Sequence, residues 1–522
     1  MSSPDTAAAG AAASAPAALT GSARSLVAIA LALGTFMQVL DTSIANVAIP
    51  TIAGNLGVSP DEGTWVITSF AVSNGIAVPL TGWLMQRYGV VRTFVISVLA
   101  FTAASFLCGI SWSLSSLVVF RVLQGAVSGP MIPGSQALLL SIFPPQKRGT
   151  ALAIWSMTTL VAPVAGPVLG GFISDNWSWP WIFYINVPVG IVSSLLCWRY
   201  LSRRDTPTRR LPIDSVGLGL LVVWVGALQV MLDKGKDLDW FSSPAILVLA
   251  AVSGVGFLAW LIWELTDAHP IVDLSLFKRR NFSIGTMAFC VGYAVFFGNV
   301  VLMPLWLQTR LGYTATWAGL VAAPSGLVAL VLSPFFGRLI GKVDARWLAS
   351  LGFVSYGVSY FMRSGFTADA SFAAFVMPQL VMGVGMSVFF VAMLSILLDG
   401  LPPQRVPSAS GVSNFSRIVA GSFATSITTT FWDRREALHQ TRLADAVNSA
   451  SAGLAQAVHG LSSLGLSGEA GSALLSQGLT NQAYLLSALD YFWISGALML
   501  VPLVLLWFTP RPHATTAVAA AD

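Results

Sequence analysis

The sequence predicts an all-α polytopic membrane protein with fourteen transmembrane helices. Hydrophobic residues make up 55% of its 522 residues and charged residues only 9%, whereas soluble domains carry about 25% charged residues. The mean hydropathy of +0.75 also indicates lipid as the main solvent. Apolar segments of the roughly 20 residues that a helix needs to cross a bilayer recur along the whole chain.

Fourteen segments have this length and composition. They are 26–46, 64–84, 93–111, 115–141, 149–174, 181–201, 213–232, 244–264, 282–307, 316–341, 347–365, 372–398, 407–431 and 488–508. The expected organisation is a disordered cytoplasmic tail at 1–25, a six-helix half at 26–201, two linker helices within 202–281, a second six-helix half at 282–508, and a cytoplasmic tail at 509–522.

The basic residues predict the orientation of these spans. With loops alternating, eighteen of the 27 Lys and Arg residues fall on the side of the two termini. Seven fall on the opposite side, Arg363 among them, and Arg121 and Arg417 lie within spans. Because basic loops stay on the cytoplasmic side, we expect both termini in the cytoplasm.

Segment 432–487 is predicted to be a long polar loop on the outer side. Residues 434–461 within it have apolar positions at helical spacing, which is typical of an amphipathic helix. Two interpretations stay open. The segment is either a surface helix that caps the bundle or a docking surface for a periplasmic partner.

Composition and motifs argue against several functional classes. The net charge is +5, but the basic residues lie in short loops, which argues against a nucleic-acid surface. Cys108, Cys197 and Cys290 lie in apolar segments without metal-ligand spacing, so neither a metal site nor a disulfide is expected. The sequence lacks a P-loop and a nucleophile elbow, so we expect neither ATP-driven transport nor an enzyme.

The chain contains an internal repeat. The stretch from Pro79 through Gly82 to Arg87 aligns with the stretch from Pro334 through Gly337 to Lys342. Similar turns in two halves are typical of transporters built from parallel repeats, which bind substrate between the halves. A channel is a less favoured alternative.

Two charged residues are predicted inside the membrane. An ionised Asp41 in span 1 would cost roughly 2.5–3.5 kcal/mol, and burial favours the neutral carboxyl. A change of exposure would therefore change its protonation, as proton coupling requires; the alternative is a capping or packing role. Arg121 in span 4 is always charged and could stabilise a nearby carboxylate. Its alternative is a snorkelling side chain at the helix end.

Four stretches carry a resemblance to a known family: Leu40–Pro50, Gly82–Arg92, Arg121–Gly129 and Gly166–Gly171. Together they resemble the major facilitator superfamily, in the fourteen-helix drug:proton antiporter branch of EmrB/QacA type, with the EmrB group most similar. Gln86 departs from the family pattern, which usually has an acid at that position.

The resemblance implies roles for individual residues. Asp41 and Arg121 would couple to protons, and a gating and antiporter set would comprise Gly82, Arg87, Gly89, Arg92, Gly166, Pro167, Gly170 and Gly171. Small residues four apart let helices approach closely, and proline kinks a helix. We therefore expect span 5 to form a seam between the halves, with ordinary helix packing as the alternative.

The substrate cavity is predicted in outline only. Candidate residues are Gln38, Asn46, Phe70, Gln124, Tyr293, Phe297 and Arg417. A mainly apolar cavity with few polar groups suits lipophilic compounds. For each residue the alternative is that it faces lipid or packs between helices, and no individual role for Arg417 follows from the sequence.

The resulting hypothesis is a proton-coupled multidrug exporter of the bacterial inner membrane. It would move hydrophobic and amphiphilic toxic compounds from the cytoplasm or inner leaflet by alternating access, using the proton gradient and no cofactor. Similarity to EmrB implies a periplasmic adaptor (EmrA-like) and an outer-membrane channel (TolC-like). The alternatives are a stand-alone pump, or a transporter of another solute such as a siderophore or a metabolite.

Overall fold

A computed structural model describes residue 19 and residues 21–511, except 145–146, 209–211, 269 and, between 447 and 468, all but 456, 459 and 463. The predicted tails at 1–25 and 509–522 thus lie largely outside the described residues. Apart from one β-bridge between Ile340 and Val343, the regular structure of the described part is helical.

The first half is built from ten helices. They are α1 (Gly21–Leu56), α2 (Pro60–Gly63), α3 (Trp65–Ala77), α4 (Thr81–Tyr88), α5 (Val90–Gly109), α6 (Leu114–Ser128), α7 (Met131–Ile142), α8 (Arg148–Asn176), α9 (Trp181–Tyr184) and α10 (Asn186–Leu201). Helix α1 begins before the predicted span 26–46 and continues well beyond it, so residues 21–25 are helical.

Within the described residues, the linker and the second half contain nine α-helices. They are α11 (Ser215–Lys234), α12 (Pro244–Thr266), α13 (Arg280–Arg310), α14 (Ala315–Leu339), α15 (Ala345–Arg363), α16 (Phe372–Leu397), α17 (Val406–Ala446), α18 (Glu469–Leu498) and α19 (Leu500–Trp507).

These helices are consistent with fourteen spans. Within the described residues, ten helical segments are long and apolar enough to cross a membrane, or twelve if each of two bent pairs is one span. The bent pairs are α3 with α4, at 57°, and the two parts of α8, at 43°. The two other predicted spans, 347–365 and 407–431, coincide with α15 and the first part of α17.

The breaks in spans 2 and 4 have a local cause. Pro79 separates α3 from α4, and Gly129-Pro130 separates α6 from α7; proline lacks the N–H that a continuous helix needs. The breaks pack on each other, since a Cβ on Gly129 would lie 2.5 Å from the backbone of Ala77. The Thr81 hydroxyl also lies 3.4 Å from the Gly129 carbonyl oxygen, to which it donates.

Segment 432–487, predicted as a long polar loop on the outer side, is helical over most of its described residues. Helix α17 continues to Ala446 and α18 begins at Glu469, so most of this segment extends two spans as helices. Residues 434–446 are helical, as their spacing predicts, but continue span 13 because alanine, leucine, glutamine and arginine favour helix. The apolar positions Leu454, Val458 and Leu461 lie outside the described residues.

The loops predicted to be cytoplasmic meet at one end of the bundle, which we call the basic end. A cavity of about 1490 Å³ there is lined by residues from six of these loops and from the C-terminal segment, including Gln86, Arg148, Arg204, Asp273, Lys342, Arg405 and Arg511. The alternation of spans therefore brings these loops together, as the predicted topology requires.

The two halves contact each other close to the basic end. A Cβ on Gly149 of α8 would overlap the carbonyl oxygen of Gly337 of α14. Gln86 Nε2 donates to the Ser408 hydroxyl of α17 at 3.3 Å. The halves are thus held together here by small residues and a neutral hydrogen bond.

The linker helix α11 touches both halves near its end opposite the basic end. The Thr68 hydroxyl of α3 donates to Asp233 of α11 at 2.7 Å. The Ser426 hydroxyl of α17 donates to the Leu232 carbonyl oxygen at 2.8 Å. The linker helix α11 therefore packs against both halves and does more than connect them in sequence.

Candidate functional site

Asp41 lies in the middle of α1 with its side chain fully buried. Its Oδ2 is 2.5 Å from Nη1 of Arg121 on α6. Its Oδ1 accepts hydrogen bonds from Gln124 Nε2 at 3.1 Å and from Asn186 Nδ2 at 2.9 Å. Helices α1, α6 and α10 therefore converge on one carboxylate, and Asp41 has no capping role because it lies inside a helix.

Arg121 is also fully buried, which excludes the snorkelling alternative. Its Nε donates to the Val66 carbonyl oxygen at 2.9 Å, and Nη1 also donates to Gln124 Oε1 at 2.6 Å. The guanidinium lies 4.3 Å from the centre of the Phe70 ring, a cation–π distance. Its Nη2 has no hydrogen-bond partner among the described residues.

A second layer of polar groups supports the pair. Ser105 accepts hydrogen bonds from Gln124 Nε2 at 2.6 Å and from Asn186 Nδ2 at 3.1 Å. A buried ion pair is tolerated only when geometry and further hydrogen bonds offset the cost of desolvation, and this network meets that condition. A proton arriving at Asp41 would compete directly with Arg121 for the same carboxylate.

Sequence reasoning missed two members of this network and assigned two others differently. Asn186 and Ser105 are polar residues of apolar segments, which is a signal, but their spacing does not tell which face they occupy. Gln124 and Phe70, expected in the substrate cavity, instead lie buried around Arg121. The reason is that α6 turns both Arg121 and Gln124 toward α1.

The antiporter motif packs α8 against α1. Gly166 faces Ser43, and a Cβ on Gly170 would lie 2.8 Å from the Ile44 side chain and 3.1 Å from its carbonyl oxygen. Nothing lies within 4 Å of a Cβ on Gly171, and the side chain of Pro167 lies outside the described residues. The close approach at Gly166 and Gly170 is therefore within the first half.

The predicted seam between the halves uses other residues of α8. Near the basic end Gly149 meets Gly337, and farther along α8 a Cβ on Gly319 would lie 3.0 Å from Val168. Helix α8 thus has one face on α1 and another on α14. The face of α8 on α14 is consistent with the expected seam between the halves. The motif glycines Gly166 and Gly170 instead allow close packing of α8 on α1.

The loop motif combines a contact between the halves with a helix cap. A Cβ on Gly82 would lie 2.6 Å from the Ser408 hydroxyl. Gly89 has φ of 92° and lies against the carboxylate of Asp205, which accepts from the Val91 and Arg92 amides at 2.9 and 3.2 Å. Gly89 is required twice, by its positive φ and by the carboxylate that occupies the space of a side chain.

The arginines of this motif lie on its surface side. Arg92 is 3.8 Å from Asp205, and the Arg87 guanidinium lies 5.2 Å from the Trp83 ring. Gln86, which stands where the family has an acid, bonds Ser408 as a neutral donor. The contact between the halves at position 86 is therefore uncharged.

The remaining cavity candidates separate into two groups. Tyr293 and Phe297 of α13 are stacked, with ring centres 5.5 Å apart, and the Arg417 guanidinium lies 4.8 Å from the Tyr293 ring. Gln38 is buried on α1, and its Oε1 has no partner among the described residues, whereas Asn46 is exposed. Only the first group forms a cluster.

Arg363, predicted on the outer side of the membrane, is 1% exposed. Its Nη2 donates to Gln379 Oε1 at 3.1 Å, and its guanidinium lies 5.9 Å from the Phe492 ring. The side chain therefore packs against α16 and α18. Across the part of the chain that the structure describes, no cluster of three or more His, Cys, Asp or Glu residues could hold a metal ion.

Comparison with known proteins gives the family. The model of the Major Facilitator Superfamily matches residues 31–425. The chain is 51% identical over 496 residues to the multidrug export protein EmrB of Escherichia coli strain K12, covering 95% of this chain and 97% of that protein. It is 46% identical over 494 residues to the fatty acid resistance protein FarB of Neisseria gonorrhoeae, covering 95% and 97%.

A solved structure supports the same fold. The proton:xylose symporter XylE, solved with 6-bromo-6-deoxy-D-glucose, superposes with a TM-score of 0.59 at 14% identity, covering 94% of this chain and 97% of that one. At this identity the likeness concerns the fold alone. Together with the matches over nearly the whole length, these findings show that the chain belongs to the Major Facilitator Superfamily, in its EmrB/QacA-type branch.

Proposed function

We propose that the protein is a proton-coupled exporter of hydrophobic and amphiphilic toxic compounds. The observation that carries this proposal is the fully buried Asp41–Arg121 pair at 2.5 Å, held by Gln124 and Asn186. A proton on Asp41 would neutralise the carboxylate and weaken its hold on Arg121. Protonation would therefore be linked to a rearrangement of α1 against α6.

Alternating access would use the contacts between the halves. The neutral bond from Gln86 to Ser408 and the approach of Gly149 to Gly337 lie at the basic end. Neither contact involves a buried charge, so parting them exposes no unpaired ion. Opening toward the basic end would break these contacts, while α8 stays packed on α1 through Gly166 and Gly170.

The proton gradient supplies enough free energy for useful export. One charge moving through 100 mV releases about 2.3 kcal/mol. At about 1.4 kcal/mol per tenfold, one proton would support roughly a fifty-fold concentration gradient of an uncharged compound. No cofactor or ATP is needed in this scheme.

The proposed location is the bacterial inner membrane, with both termini in the cytoplasm. The relatives are named for multidrug export and for fatty acid resistance, which supports toxic, largely apolar substrates. The stacked rings of Tyr293 and Phe297 offer an apolar surface for such compounds. The excess of basic loops at one end supports this orientation.

We further propose that segment 432–487, which includes the end of α17 and the start of α18, contacts a periplasmic adaptor, which would connect to an outer-membrane channel. The two helices are tied together by Asp490, which lies 2.5 Å from Arg435 and 2.7 Å from His439. Deleting residues 447–468 should abolish co-purification of an EmrA-like adaptor while the ion pair keeps the helices in place. Undiminished co-purification would remove this segment from the interface.

The function is tested by dye efflux in proteoliposomes without ATP. We expect an imposed pH gradient to drive movement of a lipophilic dye, and an uncoupler to abolish it. Asp41→Asn should abolish this transport. Its matched control is Glu264→Gln, which removes a buried carboxylate of the linker helix α12 and should retain gradient-driven transport. Folded protein that moves no dye under any gradient would contradict dye export and favour another solute.

A further inference from the structure

Arg417 is a buried cation in the second half without a carboxylate partner among the described residues. It lies on α17 with 8% of its surface exposed. Its Nη2 donates to Asn414 Oδ1 at 3.2 Å, whereas its Nε has no hydrogen-bond partner among the described residues. None of the ion pairs within the described residues includes it. Because a buried charge without compensation is costly, this arrangement favours an anion.

A second buried donor without a partner among the described residues belongs to the other half of the molecule and is linked to Arg417 through Asn414. Gln136 of α7 is fully buried, and its Oε1 is 3.5 Å from Asn414 Nδ2. Its own Nε2 has no partner among the described residues. Arg417 and Gln136, linked through Asn414, therefore offer donors from both halves around one neutral amide.

Aromatic rings flank this group of donors. The Arg417 guanidinium lies 4.8 Å from the Tyr293 ring, which stacks on Phe297. Gly421 allows this packing, since even a Cβ there would lie 3.2 Å from Tyr293. A ligand held by Arg417 would thus have an apolar surface next to its charged group.

The cavity at the basic end has the charge to attract the same ligand. Six basic side chains line it: Arg148, Arg204, Arg338, Lys342, Arg405 and Arg511. Three acids also line it, and two of these, Asp273 and Asp344, are paired with Arg405 and Arg346. Fields of one sign in a cleft raise the local concentration of oppositely charged ligands.

Helix α17 connects the cavity to Arg417. Ser408 of α17 lines the cavity, and Arg417 is nine residues further on, about 13 Å at the rise of an α-helix. Two independent features of the structure therefore indicate a negatively charged ligand. One is the basic cavity, and the other is the buried Arg417, which has no carboxylate partner among the described residues.

We propose that Arg417, Gln136 and Asn414 form a subsite for the acidic group of amphiphilic organic acids, with the apolar body of the ligand against Tyr293 and Phe297. This inference rests on the proposed export function and adds a substrate class and a specificity-determining residue to it. Since the subsite takes donors from both halves, a bound carboxylate would contact both halves at once.

The test is equilibrium binding to the full chain in lipid nanodiscs. The probes are 11-(dansylamino)undecanoate and its methyl ester, which differ in the negative charge but share the same apolar body. We expect the wild type to bind the acid at least about tenfold more tightly than the ester, equivalent to about 1.4 kcal/mol. Arg417→Gln should reduce this ratio to within about twofold, and Arg417→Lys should retain part of it.

The matched control is Arg363→Gln, which removes another buried arginine of the second half that has no carboxylate partner among the described residues, and it should leave the ratio unchanged. If Arg417→Gln does not fold, Gln136→Leu is the substitute test. It removes the neutral donor and should weaken binding of the acid several-fold. A wild type without preference for the acid, or an Arg417→Gln protein that keeps it, would overturn the proposal. The measurement needs no gradient, so it can fail while gradient-driven dye efflux still holds.

Discussion

The two six-helix halves bury arginine in different ways. In the first half, Arg121 is paired with Asp41 at 2.5 Å, inside a network of amides. In the second half, Arg363 and Arg417 are buried with amide and aromatic neighbours, and none of the described residues gives either a carboxylate partner. The first half thus holds a charge that a proton can cancel, whereas the second keeps a permanent positive charge.

This difference teaches that a duplicated fold need not divide its work equally. The halves share a turn, from Pro79 to Arg87 and from Pro334 to Lys342, and the same packing of small residues. They differ in which ions they bury. We infer that energy coupling is concentrated in the first half and ligand charge selection in the second.

The largest expected effect on stability comes from removing Arg121, and removing Arg417 should have a much smaller effect. Arg121→Gln would leave Asp41 buried without its counter-ion, and should lower the free energy of unfolding by about 3–5 kcal/mol. Arg417→Gln leaves no buried carboxylate behind, and should change it by less than about 1 kcal/mol. Denaturant unfolding of both variants in the same detergent measures the difference.

The double variant Asp41→Asn with Arg121→Gln provides the control. Because it removes both charges, it should recover much of the stability lost in Arg121→Gln, and the coupling energy isolates the pair. Equal destabilisation by Arg121→Gln and Arg417→Gln would break the comparison between the halves.

A smaller effect is expected at the glycines one turn after these arginines. A Cβ on Gly125 would overlap the Ser73 hydroxyl and lie 2.5 Å from the Phe70 carbonyl oxygen, so Gly125→Ala should cost about 1–3 kcal/mol. A Cβ on Gly421 meets only ring atoms, at 3.2 Å or more. Gly421→Ala should stay within about 1 kcal/mol of the wild type, since alanine favours helix. Thermal unfolding should rank them in this order, and a reversed order would be the contrary result.

The smallest effect on stability concerns the N-terminal caps of α5 and α15, the helices of the third span in each half. Asp205 caps α5 from a distant segment, whereas Asp344 caps α15 locally and accepts from the Arg346 amide at 3.0 Å. Asp205→Ala and Asp344→Ala should each cost about 0.5–2 kcal/mol. Only the loss of Asp205 should loosen the contact between the start of α5 and the end of α10, which hydrogen exchange at Val91 would detect.

The pH dependence of the Asp344 cap has a defined sign. Hydrogen bonds from the Arg346 guanidinium hold the pKa of Asp344 below its usual value. Its stabilisation is therefore present above the unfolded value, about 3.9, and disappears as the pH falls through the lower folded value. The stability difference between wild type and Asp344→Asn should be seen at pH 6 and be absent near pH 2. A difference that persists there would contradict this assignment.

Much of the fold could be predicted from hydropathy alone. Apolar length and basic loops predicted the spans and the shared end at which the basic loops meet, because lipid imposes both. The clearest exceptions were spans 13 and 14, whose helices continue to Ala446 and begin at Glu469. Hydropathy detects where the membrane ends but does not show that a polar segment remains helical.

The site could be predicted only in part. Asp41 and Arg121 were recognisable because a charged side chain inside a membrane span is costly and therefore indicates a specific role. Their pairing depends on the rotation of α1 against α6, and the cap of Asp205 on Val91 joins residues 114 positions apart. Such contacts follow from three-dimensional packing, as does the burial of Arg363 against α16 and α18.

The most direct test of the central claim is drug-dependent proton release from the purified protein in weakly buffered detergent. We predict that adding a transported dye releases protons from the wild type and from Glu264→Gln, but not from folded Asp41→Asn. Undiminished release from Asp41→Asn would contradict the assignment of proton coupling to the buried pair in the first half.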